Sequence, residues 1–206
     1  MSAYEQLLTS DTRWALNEGG LFFEGKSRVH QTVERIARRL TELEVPYAVA
    51  GGMALVRHGY ARFTEDVDLL VTRESLQKIH ESLAGLGYRP PFEGSRHLRD
   101  ADTGVKVEFI VTGDFPGDGK PKPVAFPDPR TVSEVVGGVT FLQLETLVEL
   151  KLASGMTNAG RLKDLADVQE LIKIRSLPRD FSQRLHPFVQ EKFIELWDAA
   201  AGHHEQ

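Results

Sequence analysis

Apolar residues recur every three to four positions between residues 27 and 43: Val29, Val33, Ile36, Ala37 and Leu40 form one stripe, with Glu34, Arg35, Arg38 and Arg39 off it. That period predicts an amphipathic helix. Pro46 restricts the residue before it, and 47–50 reads as a short buried strand. Gly51-Gly52 is a turn, 53–58 a short helix with Gly59 as its breaker, and 66–71 a second apolar strand. Thr72 is an N-cap candidate for a helix over 75–86, where Leu76, Ile79, His80 and Leu83 share a face. Residues 96–112 read as a hairpin: 96–99, a turn at Asp102-Thr103-Gly104, then strict alternation over 105–111. Val105, Val107, Phe109 and Val111 point one way, Lys106, Glu108 and Ile110 the other.

The flanks read differently. Residues 4–17 suit a short helix. Residues 112–129, rich in Gly, Pro, Asp and Lys, form a long loop or an internal linker. A strand over 135–141 follows, with Gly137-Gly138 as a bulge or turn. From Leu142 the pattern becomes helical. Leu144, Leu147, Val148, Leu150 and Leu152 cover one side, Asn158-Ala159-Gly160 breaks the run, 161–174 resumes it, Pro178 ends it, and a last helix spans 187–200. The outline is α+β: N-terminal helices over 1–44 packing on a mixed α/β core at 45–141, and a helical C-terminal part at 142–206.

Composition narrows the chemistry. The 206 residues, 41% hydrophobic and 27% charged, suit one compact domain or two small ones. A net charge of −5 gives no global basic field, so polynucleotide contact would need a local basic patch. The absence of cysteine excludes disulfides, zinc–thiolate sites and thiol nucleophiles. The first residues lack a basic and apolar leader pattern, and no apolar run reaches the roughly 20 residues of a membrane span. A cytoplasmic protein with no membrane partner is expected.

Asp66 and Asp68, two apart on a strand, point to the same face. Like charges so close repel unless a cation lies between them. Upstream, Gly51 and Gly52 allow the backbone to approach a phosphate. Together they suggest a site for a divalent metal and a nucleoside triphosphate, in which Mg²⁺ would bridge phosphates. Glu108 is the candidate third carboxylate, completing a pair of metal sites; on the bland alternative it pairs with Lys106 or Arg99 on a solvated sheet face. Arg62 either clamps a phosphate with its planar fork or forms a surface ion pair, and Thr64 orients the strand start. Lys151, in an apolar helical run, either snorkels to solvent or reaches into a cleft toward phosphate. Arg161, Lys163, Asp164 and Asp167, taken as a segment, suit a solvated helix face. Gly113–Lys120 imitates a P-loop, but its spacing is wrong and Pro121 and Pro123 forbid the following helix. The seven histidines show no metal spacing, and no Gly-x-Ser-x-Gly elbow is present.

With Gly51-Gly52, Asp66/Asp68 and Glu108 in this order, the chain resembles the nucleotidyltransferase-fold superfamily, the polymerase-β-like group. The stretch from Gly51 to Leu70, followed by Lys151, Arg161, Lys163, Asp164 and Asp167, resembles the AbiEii-like abortive-infection nucleotidyltransferases, toxins of bacterial toxin–antitoxin pairs. A Glu at position 108 departs from the commoner Asp. The resemblance implies a nucleotidyltransferase-type mixed β-sheet flanked by helices, with 45–141 as the catalytic core. It also implies two Mg²⁺ ions on Asp66, Asp68 and Glu108, which are the catalytic set. Nucleotide, ATP included, would bind at Gly51, Gly52, Arg62, Thr64, Lys151, Lys163 and Asp164. The implied reaction is transfer of a nucleoside monophosphate (NMP) from a nucleoside triphosphate (NTP) to an acceptor, with release of pyrophosphate. The acceptor is a tRNA 3′ end, a protein hydroxyl or a small molecule such as an antibiotic, and an antitoxin protein is an implied partner. The competing expectation is a non-catalytic interaction or regulatory protein that keeps the fold.

Overall fold

The alternation of residues 66–71 and 105–111 builds the centre of the sheet. In the computed structural model, which describes residues 3–201, these are β2 (Asp66–Val71) and β5 (Lys106–Val111), paired in parallel. β1 (Tyr47–Val49) runs antiparallel to β2 on its other side. β3 (Tyr88–Arg89) and β4 (Leu98–Asp100) extend the sheet beyond β5, while β6 (Ser133–Val136) and β7 (Val139–Leu142) extend it beyond β1. The resulting order is β3-β4-β5-β2-β1-β7-β6. The helices are α1 (Ala3–Ser10), α2 (Thr12–Phe23), α3 (Arg28–Glu42), α4 (Gly51–Arg57), α5 (Arg73–Leu83), α6 (Leu144–Thr157), α7 (Leu162–Ile174) and α8 (Pro187–Ala201).

Each sheet face packs against its own helices. Val67, Leu69 and Val71, with Val105, Val107 and Phe109, join Tyr4, Phe22, Val29, Val33, Ile36, Leu40, Ile79 and Leu83 in one apolar cluster. On the opposite face Ala48, Leu70 and Leu142 are buried against Leu147, Val148, Val168, Leu171 and Phe193 of the C-terminal helices, with Ile110 at the edge. Fully burying one such side chain stabilises the fold by roughly 1.5–3 kcal/mol. Asp66, Asp68 and Glu108 lie on this second face, earlier on the same strands than Leu70 and Ile110. The C-terminal helices therefore cover one end of that face and leave a polar cleft at the other. α6 is buried over Leu147, Val148 and every residue from Leu150 to Gly155, as expected of a central helix rather than a surface one. Its close approach to α7 depends on Gly155, where a Cβ would lie 2.5 Å from Leu165 Cγ.

Several expectations are corrected in detail. The N-terminal helix predicted over 4–17 is two helices. Asp11 adopts an extended conformation between them, and its carboxylate accepts the Trp14 N–H at 3.0 Å, an N-cap that starts α2. The strand predicted over 135–141 is the β6–β7 hairpin. Gly137 (φ 58°) and Gly138 (φ 81°) are its two-residue turn, with Val136 opposite Val139. Gly51 and Gly52 form the first turn of α4 rather than preceding it. β3, only two residues long before Pro90, left no periodic signal. Residues 112–129 are a loop and not a spacer. Gly113 and Phe126 close its ends (N–H to carbonyl, 2.9 Å), and the Asn158 side-chain amide holds the Gly117 carbonyl at 3.1 Å against the end of α6. Among the described residues no helix is long and apolar enough to cross a membrane.

Candidate active site

The parallel register sets Asp68 opposite Glu108 and Asp66 opposite Lys106. One carboxylate oxygen from each of Asp66, Asp68 and Glu108 lies within 4.8 Å of the others. The chain next to them can pass only as glycine. Ala50 donates its N–H to the Asp68 carbonyl at 2.9 Å. At Gly51 the backbone turns to φ 55°, and an added Cβ would sit 1.8 Å from Asp68 Oδ2. At Gly52 an added Cβ would sit 2.6 Å from Thr64 Cβ. Thr64, itself buried, donates its hydroxyl to Asp66 Oδ1 at 2.9 Å, which fixes that carboxylate, a contact that its reading as a turn residue at the strand start did not foresee. Gly51→Ala should therefore displace Asp68 or unwind the start of α4. We expect Mn²⁺ affinity at the three carboxylates to fall by roughly 10-fold or more as Asp68 moves, and thermal melting to show a loss of about 1 kcal/mol or more from the left-handed backbone. Wild-type Mn²⁺ affinity in the Gly51→Ala protein would contradict this steric account.

Burial pushes the Asp68 carboxyl up to about 7, and the neighbouring Asp66 and Glu108 push in the same direction, against the pull of Lys151 and Lys106. Lys151 and Lys106 do not offset the burial and the two neighbouring carboxylates at Asp68. Three converging carboxylates are a hard oxygen donor set that fits Mg²⁺ or a similar divalent ion.

All ten residues expected at the site, Gly51, Gly52, Arg62, Thr64, Asp66, Asp68, Glu108, Lys151, Lys163 and Asp164, line one cleft. They are not equally free. Lys151 is buried, and its ammonium donates to Asp164 Oδ1 at 2.9 Å and Asp167 Oδ2 at 2.7 Å. Ser154 donates its hydroxyl to Asp164 Oδ2 at 2.7 Å. The Arg62 fork closes on the same Asp167, with Nε 3.0 Å from Oδ1 and NH2 donating to Oδ2 at 3.3 Å. Lys151 therefore neither snorkels nor stands alone in the cleft; with Arg62, Asp164 and Asp167 it ties α6, α7 and the chain before β2 together. The segment read as a solvated face divides: Asp164 and Asp167 are buried, while Arg161 and Lys163 are exposed at the cleft.

Glu108 has neighbours of both kinds. It stands beside the aspartates, and Lys106 Nζ lies 3.2 Å from its Oε2. Arg99, the other partner considered, pairs with Glu5 at 2.8 Å instead. His97, which the histidine spacing gave no reason to select, brings Nε2 to 3.6 Å from Glu108 Oε1. Its imidazole is held below the usual histidine range by burial, against the pull of Glu108. Pro116, Gly117 and Phe126 of the 112–129 loop also line the cleft. Only the loop's packing against α6 brings them there. A second cleft also opens onto Asp68 and Glu108, lined by Arg96, His97, Asp114 and Phe115 among others.

Residues 21–191 match the model of a family described as uncharacterised nucleotidyltransferase. No curated protein matches the sequence. Among solved structures, ANT(2")-Ia in complex with adenylyl-2"-tobramycin is similar at 15% identity and a TM-score of 0.51, over 84% of this chain and 97% of that one. An antigenic nucleotidyltransferase-like protein from Paracoccidioides brasiliensis is similar at 16% identity and a TM-score of 0.48, over 83% of this chain and 91% of that one. JHP933 from Helicobacter pylori is similar at 18% identity and a TM-score of 0.47, over 85% and 90%. At 15% identity the first likeness bears on the fold alone.

Proposed function

Because this chain belongs to the nucleotidyltransferase family whose model it matches over residues 21–191, and is a transferase by that membership, we propose that it moves a nucleoside monophosphate from an NTP to an acceptor hydroxyl and releases pyrophosphate. The observation that carries this reading is the set Asp66, Asp68 and Glu108, within 4.8 Å of one another, beside a glycine whose Cβ would collide with Asp68. Asp66 and Asp68 would hold Mg²⁺, with Thr64 fixing the rotamer of Asp66. When bound, the ion supplies charge neutralisation at the triphosphate. Gly51 and Gly52 leave the backbone bare where the phosphates approach. Lys163, exposed at the cleft, and Arg161, exposed there with its Nε 3.7 Å from Asp164 Oδ2, are the cations placed to meet them. Lys151, Arg62 and Asp164 act through the buried network that positions the cleft wall. Glu108 accepts the proton of the acceptor hydroxyl. The acceptor oxygen bonds to the α-phosphorus as its bond to the bridging oxygen breaks and pyrophosphate leaves.

An in-line displacement places acceptor and leaving group on opposite sides of the α-phosphorus. The second cleft, which meets the first at Asp68 and Glu108, suits the acceptor. The resemblance at Gly51–Leu70 and at Lys151, Arg161, Lys163, Asp164 and Asp167 supports a toxin of a toxin–antitoxin pair acting in the cytoplasm, with an antitoxin protein as partner. Incubating the protein with Mg²⁺ and each α-labelled NTP, against bacterial RNA, protein and metabolite fractions, tests the reaction. Label should enter one fraction, and the Asp66→Asn/Asp68→Asn protein should transfer none. Failure of every NTP to label any fraction, together with no NTP binding, would refute the reading.

A further inference from the structure

The carboxylate cluster contains a cation of its own. Lys106 lies directly across from Asp66 on the adjacent parallel strand and two residues before Glu108 on the same sheet face. Its ammonium is 3.2 Å from Glu108 Oε2 and 3.9 Å from Asp66 Oδ2. β5 is an interior strand, held between β4 and β2, so the backbone carrying Lys106 cannot move away from the carboxylates without breaking the sheet. The side chain is about a quarter exposed, which keeps the ammonium largely inside the cluster.

The oxygens of the three carboxylates are not equally available. Glu108 has Lys106 at Oε2 and His97 Nε2 at 3.6 Å from Oε1. Asp66 has the Thr64 hydroxyl at Oδ1 and Lys106 near Oδ2. Asp68 alone of the three makes no side-chain hydrogen bond or ion pair among the described residues. The formal charges agree: three carboxylates and one ammonium leave two negative charges, which one divalent ion neutralises.

Resting on the nucleotidyltransferase reading above, we propose that Lys106 is the built-in second cation of this site: its ammonium stands where Glu108 and Asp66 would otherwise hold a second divalent ion, so the enzyme binds one ion with its nucleotide. This revises the two-ion expectation of the sequence. Lys106 is by this account a positioning residue, holding Glu108 at the acceptor side of the bound nucleotide.

The test is a count of bound Mn²⁺, by equilibrium dialysis and electron paramagnetic resonance, with a non-transferable α,β-methylene ATP at saturation. About one protein-bound ion per chain is expected in the wild type and in Lys106→Arg, and about two in Lys106→Met, which frees Glu108 and Asp66. Two ions in the wild type would overturn the inference and leave the nucleotidyltransferase reading standing. A count that stays at one in a folded Lys106→Met protein would also overturn it. No ion and no nucleotide bound would remove the nucleotidyltransferase reading together with the inference. The wild-type count decides by itself should Lys106→Met fail to fold.

Discussion

Asp68→Asn is expected to lower NMP transfer by roughly 10³-fold or more, on the scale of losing a main charge-stabilising group at a reacting phosphate, while raising the melting temperature of the ion-free protein. The two effects have one cause. Asp68 sits where burial and its neighbours Asp66 and Glu108 oppose its ionisation, which pushes its carboxyl up to about 7. In the unfolded chain the same group ionises near the ordinary carboxylate value, so between about pH 4 and 7 the native state binds the extra proton. The cost of the Asp68 charge is thus absent below the unfolded value, grows as pH rises, and is complete above about 7. The stability advantage of ion-free Asp68→Asn over ion-free wild type should therefore grow over that window, by an amount on the order of a few kcal/mol; the histidines held below their usual range, His30, His58 and His97, are common to both proteins. Divalent ion should restore wild-type stability at neutral pH and do little for the variant. Thermal melts across pH, with and without Mg²⁺, give both readouts. A destabilised Asp68→Asn protein, or a stability difference between the two ion-free proteins that does not grow from pH 5 to 7, would contradict the account.

Lys151→Met should have the opposite profile, with its main effect on the fold. It keeps the side-chain length but strands Asp164 and Asp167, both buried, which now meet the ammonium at 2.9 and 2.7 Å. Removing one partner of a buried ion pair costs about 3–5 kcal/mol, and urea denaturation should show a loss of that size. Arg62 remains on Asp167, so Asp164 suffers more. Burial opposes the charge on Asp164, yet Lys151, Ser154 and Arg161 together hold its carboxyl below the usual carboxylate range. Its contribution is therefore present at neutral pH and fades as pH falls through that lowered value. Adding Asp164→Asn to Lys151→Met should recover part of the loss. A Lys151→Met protein within about 1 kcal/mol of wild type would instead indicate a lysine that faces solvent.

The carboxylate site was legible because strand periodicity is local. Asp66 and Asp68 share a face by their spacing alone, and alternation over 105–111 assigns Glu108 to the face opposite Val107 and Phe109. That these faces coincide depends on register, and β2 and β5 happen to be neighbours with Asp68 opposite Glu108. The Gly51-Gly52 pair was legible as a turn but not as a packing contact. The reason for glycine there, an Asp68 oxygen 1.8 Å from a would-be Cβ, involves a residue on another strand. Lys106 was visible as a neighbour of Glu108 on the same face. Its approach to Asp66 was not, since that needs the parallel pairing.

The helical tail marks the other limit. The apolar run around Lys151 left two routes open, to solvent or into the cleft, and the burial of α6 from Leu150 to Gly155 closes the first. Which acids would meet it could not be read, because Asp164 and Asp167 sit on a helix whose polar pattern, taken alone, matches a solvated face. The sequence by itself determined the strand and helix periods, the shared faces of the acidic residues and the absence of thiol chemistry, all properties of residues close along the chain. Only the tertiary structure decided which acid each cation meets. Lys151 and Arg62 are engaged with buried acids, Lys106 stands among the carboxylates, Arg161 lies at the cleft mouth 3.7 Å from Asp164, and Lys163 is exposed beside it. A charge's partner is set by distances of a few ångströms between segments up to a hundred residues apart, and no local pattern encodes those distances.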